Sequence, residues 1–172
     1  MHERIEPSTK KDAEELSSLI NGAYRGESSK VGWTTEADYL DGTRTDATSV
    51  AALIDKPDTI LLKFVDDGAI IGCVELRVDT PRLYVGMLTV SPQLQGRGVG
   101  KKLLIRAEEE AVATKCTSVY MTVLSVRKEL IAWYLRNGYA LTGETKPFAF
   151  NDPVFGMPKI PLEFVVLEKI LQ

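Results

Sequence analysis

The densest chemistry in this 172-residue sequence lies between Val90 and Leu104, where Gly96, Gly98 and Gly100 alternate with Arg97, Val99 and Lys101. Glycines between a strand end and a helix start let a loop turn several amides toward one point, and the missing Cβ lets an anion approach the backbone. The first amides of a helix have no intrahelical acceptor and sit at the positive end of its macrodipole. Arg97 with Lys101 or Lys102 adds cationic charge. The chemistry on offer is phosphate recognition, although a tight strand-to-helix turn with no ligand would carry the same glycines. Spacing excludes two phosphate motifs. A P-loop has four residues between its glycine and a Gly-Lys-Ser/Thr triplet, whereas three separate Gly96 from Gly100, and Lys102 stands where the hydroxyl belongs. The dinucleotide fingerprint needs Gly-x-Gly-x-x-Gly, whereas these glycines recur at every second position.

The elements that must position this loop follow from periodicity. Ala13, Leu16, Leu19 and Ile20 recur at helical spacing behind Ser8 and Thr9, predicting a helix over Lys10 to Tyr24 after a short extended start. Thr34-Thr35-Glu36-Ala37 reads as another helix start, then a Gly42 break and a short apolar helix from Ser49 to Ile54. Thr59 to Val65 and Ala69 to Val78 form a hairpin across Asp66-Asp67-Gly68. Leu83 to Val90 is a third strand, running into the glycine loop and a helix from Gly98 to Lys115 with Leu103, Leu104, Ala107, Ala111 and Val112 on one stripe. Ser118 to Leu124 is a strand, Lys128 to Arg136 a helix stopped by Asn137-Gly138, and Tyr139 to Glu144 begins another strand. Pro147 to Pro161 reads as a long loop and Leu162 to Lys169 as the last strand. This order predicts a single domain over residues 1–172, α/β in class, with a mixed sheet and helices on both faces.

Charge and composition narrow the partners. A net charge of -3 supplies no basic field for nucleic acid and mildly favours a cationic substrate. Cys73 and Cys116 have no CxxC neighbour, and the single His2 is terminal, so neither a disulfide framework nor a metal site is expected. Both cysteines read as small apolar fillers, without a base partner for nucleophilic work. No apolar run is long enough to span a membrane, and the first residues do not resemble a signal peptide, so the expected address is the cytoplasm.

Gln95, Gly98 and Gly100, following a strand that ends Leu88-Thr89-Val90, resemble the Gln/Arg-x-x-Gly-x-Gly/Ala loop of the GNAT acyltransferase superfamily, and Trp133-Tyr134-Leu135-Arg136-Asn137-Gly138-Tyr139 resembles its second motif. The resemblance covers most of the chain. It implies a mostly antiparallel central sheet with one splayed strand pair, and acetyl-CoA as cosubstrate. It further implies that Leu88, Thr89 and Val90 receive the pantetheine arm, as a strand edge receives an added strand, and that Gln95, Gly96, Arg97, Gly98, Val99, Gly100 and Lys101 hold the pyrophosphate. Arg127 stands where relatives often carry Asn, a departure that makes it a candidate for the pantetheine or phosphate end, or else a solvated helix-start charge. Tyr134 is the implied proton donor to the departing thiolate. Leu130, Ile131, Tyr134 and Leu135 also form an apolar stripe, so core packing is its other reading.

Amide formation requires a neutral amine, and an amine of pKa about 10.4 needs a base or desolvation at neutral pH. The strand before the loop offers no acid. Glu75, on the preceding strand, is the candidate base, directly or through water; a solvent-facing strand position is its alternative. Glu36 is a weaker candidate. Phe148-Ala149-Phe150, Phe155 and Trp33 suit an acceptor pocket, a dimer surface or the core. The expected activity is acetyl transfer to a primary amine of a small molecule or peptide, the alternative being a noncatalytic CoA-binding regulatory module, and a homodimer is a further expectation from the resemblance.

Overall fold

A computed structural model describes residues 2–25, 35–41, 43–148 and 157–172. The elements in chain order are β1 (Glu3–Pro7), α1 (Ala13–Tyr24, entered through a 3-10 turn at Lys10–Asp12), β2 (Leu40–Asp41), α2 (Ala47–Ile54), β3 (Thr59–Asp66), β4 (Ala69–Asp79) and β5 (Arg82–Val90). There follow α3 (Val99–Ala113), β6 (Ser118–Leu124), α4 (Lys128–Arg136), β7 (Ala140–Pro147), β8 (Met157–Pro158) and β9 (Glu163–Ile170). The main sheet has seven strands in the order β1-β3-β4-β5-β6-β9-β7, and β2 pairs with β8 in a separate ribbon. Among the described residues only β5 and β6 are parallel neighbours.

Strand alternation sends successive side chains to opposite faces and so divides the core. Leu62 and Val74 join a cluster with Leu103, Leu104 and Ala107 of α3 and Ile131 of α4. Their neighbours Leu61 and Cys73 join the other, with Leu16 and Ile20 of α1 and Val50 of α2. The sheet thus carries helices on both faces, as expected. Val112 leaves the expected stripe and is 61% exposed. At about 100° per residue it lies half a turn around the helix from Leu103.

The close fit of α3 on the sheet depends on Gly72. A Cβ there would stand 2.9 Å from the Thr89 carbonyl oxygen and 3.1 Å from Leu103 Cδ1. A backbone oxygen in a central strand cannot swing aside, so Gly72→Ala is expected to cost about 1–3 kcal/mol in urea unfolding; a loss below about 0.5 kcal/mol would mean that the helix seats more loosely. The end of α4 follows the sequence expectation. Gly138 takes φ +95°, Gly138 N–H donates to Leu135 O and Tyr139 N–H to Tyr134 O, a Schellman closure.

Other expectations needed adjustment. The helix start at residues 34–37 is a single turn over its described part, with Tyr39 and Leu40 N–H both donating to Glu36 O. The Pro147 to Pro161 loop contains β8, while Trp33, Phe150 and Phe155 lie outside the described residues. Phe148 stacks at 5.5 Å on Phe164.

Two departures from regular pairing open the sheet. The first is a bulge: Cys73 opposes Thr89 but Glu75 opposes Gly86, so Val74 faces both Met87 and Leu88. Met87 takes φ +47°, a left-handed conformation unusual for a side chain of its size. The second is a splay. β5 and β6 pair only from Arg82 with Ser118 to Tyr84 with Tyr120, after which β5 runs on to Val90 and β6 to Leu124 without a ladder between them.

Candidate active site

A cleft of about 370 Å³ occupies the splay beside the amino end of α3, bounded by Leu88 and Val90, by Gln95, Gly96 and Gly98 to Lys101, and by Leu130, Trp133 and Arg136 of α4. The helix ladder of α3 begins with Lys102 N–H donating to Gly98 O at 3.0 Å. The amides of Val99, Gly100 and Lys101 therefore lack an intrahelical acceptor. Gly96 and Gly98 hold φ of +87° and +80°, and no atom stands within 4 Å of where either Cβ would be. Their backbone is thus both glycine-dependent and open, the two conditions an anion cradle needs.

The strand edge beyond Tyr84 has no ladder partner. Ser91 N–H donates to Ile71 O at 2.8 Å, on the β4 side. Alternation then turns the N–H and C=O groups of Val90 and Leu88 toward the splay. Gln95 fixes the loop to this edge, its Nε2 donating to Val90 O at 3.2 Å. Two residues of this stretch turn their side chains away from the cleft. Thr89 is buried, with its hydroxyl donating to Met87 O at 2.8 Å, and Arg97 is exposed; neither borders the cleft. Trp133 and Arg136 were missed. With Leu130 they recur every third residue along one side of α4, a spacing that the sequence displays.

A second, smaller cavity of about 120 Å³ adjoins the first, with Leu88 and Leu130 bordering both. Tyr24, Glu36, Arg44, Tyr84, Gly86, Thr122, Arg127 and Tyr134 also line it. Tyr134 is buried, edge-on to Trp133 at 5.1 Å and to Tyr139 at 5.8 Å. Burial, then the neighbouring Tyr24, push its hydroxyl pKa far up, so the proton is retained. No group among the described residues hydrogen-bonds to that hydroxyl. Tyr24, which sequence reasoning treated only as a helix end, donates to Leu88 O at 2.9 Å and so braces the bulged strand; burial pushes its pKa up to about 12.

The two carboxylate candidates separate clearly. Glu36 is buried between Arg25 and Arg127, at 2.9 Å from Arg25 Nε and 3.1 Å from Arg127 Nη1, and is committed to that bridge. Arg127 accordingly sits beside Glu36 in the second cavity, not at the glycine loop. Glu75 is not on a solvent face: it is 9% exposed, and its Oε1 lies 2.7 Å from where a Cβ on Gly86 would be, against the cavity wall. Burial raises its pKa against the opposing pull of Arg77, Arg44 and Lys56. No described residue hydrogen-bonds to its carboxylate. Cys73 is enclosed as expected, its thiol pushed up to about 12 by burial, and no cluster of metal-ligating side chains occurs among the described residues.

A splayed sheet with a glycine cradle and an unladdered strand edge on one cleft suits a long, phosphate-bearing cosubstrate. The chain belongs to the acetyltransferase (GNAT) family, whose sequence model matches residues 13–139, and is an acetyl-CoA-dependent acyltransferase. Over 109 residues it is 30% identical to an IAA acetyltransferase of Azospirillum brasilense, covering 62% of this chain and 71% of that one. The YncA acetyltransferase of Salmonella typhimurium, solved with acetyl-CoA, superposes with a TM-score of 0.72 at 18% identity over 100% of this chain and 95% of that one. The PaiA N-acetyltransferase of Thermoplasma acidophilum, solved with coenzyme A, superposes with a TM-score of 0.70 at 17% identity over 99% of each chain. None of the described helices is long and apolar enough to cross a membrane.

Proposed function

We propose that this chain transfers the acetyl group of acetyl-CoA to a primary amine by direct attack within a ternary complex. One observation carries the reading: beyond Tyr84 a strand edge without a ladder partner and orphan helix amides border one cavity, and a buried tyrosine hydroxyl borders the adjoining one. When bound there, acetyl-CoA supplies a thioester. The amides of Val99, Gly100 and Lys101 hold the pyrophosphate, Gly96 and Gly98 leave it room, and Lys101 and Arg136 add charge. The edge of Leu88 and Val90 takes the amide-bearing arm as a strand would. Glu75 receives the proton that the attacking amine gives up, and Tyr134 donates to the sulfur that leaves. Arg127 belongs in this reading to the acceptor side, through Glu36. Both cysteines are free and buried, which suits a reducing cytoplasm.

Thermal unfolding with acetyl-CoA, CoA and ATP tests the cleft. Either CoA species at a hundred times its Kd is expected to add about 2.7 kcal/mol of stability, and ATP much less. Thiol release on adding amines tests the reaction. No stabilisation by CoA together with no thiol release would overturn the proposal.

A further inference from the structure

Resting on that reading, we infer that the acceptor is a small molecule bearing a carboxylate beside its primary amine, as a free amino acid does, and that Arg44 binds this carboxylate. Arg44 lines the second cavity, with its guanidinium carbon 5.5 Å from the centre of the Tyr24 ring. Its position is built. Asn21 Oδ1 accepts the backbone N–H groups of Arg44 and Thr45 at 2.8 and 2.9 Å, and Asn21 Nδ2 donates to Thr45 O at 2.9 Å. The guanidinium, so positioned, makes no hydrogen bond or ion pair with any described residue. A partly buried cation is costly without an anion, and a guanidinium fork matches a carboxylate in two parallel hydrogen bonds.

The surrounding charge points the same way. Glu36, the carboxylate that lines this cavity, is committed to Arg25 and Arg127 and makes no ion pair with Arg44. The charged groups that act on Glu75 are cations, Arg77, Arg44 and Lys56, and of these Arg44 lines the cavity. A guanidinium lining the cavity of a chain of net charge -3 reverses the preference that the whole-chain charge suggested. With its carboxylate on Arg44, such an acceptor turns its amine toward Glu75 and the mouth of the splay.

The test compares free amino acids with their C-terminal amides and with the corresponding decarboxylated amines, using the full chain and acetyl-CoA. The wild type is expected to favour the acid over its amide by about 10- to 100-fold in kcat/KM, the range for a charged hydrogen-bonded pair. Arg44→Gln is expected to drive that ratio toward unity, Arg44→Lys to restore part of it, and Arg44→Glu to shift preference to diamines. Stabilisation by CoA reports that each variant is folded. Equal turnover of acids and amides by the wild type, or a ratio unmoved in Arg44→Gln, overturns the inference while leaving the acetyltransferase reading intact. If no amine releases thiol, calorimetric titration of amino acids into the CoA-loaded protein still decides it: Arg44-dependent binding supports the site, and its absence rejects it.

Discussion

Glu75→Gln is expected to lower kcat/KM by about 10²- to 10⁴-fold, the scale of a lost general base, and at the same time to raise the thermal midpoint. Both effects have one origin. The Glu75 carboxylate is 9% exposed and receives no hydrogen bond from any described residue, and burial holds its pKa above the ordinary 4.5. The folded state therefore binds this proton more tightly than the unfolded chain does. Stability owed to the group is fully present below the unfolded pKa and is lost as pH rises through the folded value. Above the unfolded pKa the buried carboxyl is therefore a burden on the fold, which glutamine relieves at nearly the same volume. The gain in Tm should accordingly be larger near pH 8 than near pH 4. Activity runs the opposite way, because only the deprotonated carboxylate accepts a proton; wild-type kcat/KM should rise with pH through the raised pKa, and the variant should lose that limb. A variant within about threefold of wild-type activity would remove Glu75 from the mechanism. An equal Tm change at both pH values would remove the account of its burial.

What the sequence disclosed and what it withheld divide along one line. The glycine loop, the strand before it and the boundaries of α4 are local patterns, and the expected Lys128 to Arg136 helix is the observed one. Gly96 and Gly98 declare themselves because a left-handed backbone leaves a residue-type signature. The acceptor side has no local signature. Glu36 meets Arg127 across 91 positions of sequence and Tyr24 meets Leu88 across 64, so neither pairing appears in any window of periodicity. Glu75 was legible as a candidate and not as a buried one, because strand alternation cannot tell which face a helix covers. Arg44 lay in a stretch without regular pattern, and only the Asn21 hydrogen bonds reveal that its place is fixed.

Replacing Tyr134 with phenylalanine is expected to reduce kcat by about 10²-fold or more while leaving the CoA-induced thermal shift close to that of the wild type. The ring contacts to Trp133 and Tyr139 survive the change, so the helix face and cleft wall remain in place. The loss is confined to one O–H donor, whose pKa burial keeps high enough for the proton to stay on oxygen throughout the working range. Because no described residue accepts from that hydroxyl, its removal should cost the fold nothing and may be compared directly with Glu75→Gln in the same unfolding assay. The readout that separates catalysis from packing is the leaving group. With acyl thioesters of progressively more acidic thiols, the deficit of the phenylalanine variant should shrink, since a better leaving thiolate needs less help from a donor. A deficit independent of the thiol would reassign Tyr134 to the wall of the cleft. Glu75, Arg44 and Tyr134 share one property: each presents a buried or half-buried polar group that makes no hydrogen bond with any described residue. In the proposed reaction an amine, a carboxylate and a sulfur would complete them in turn.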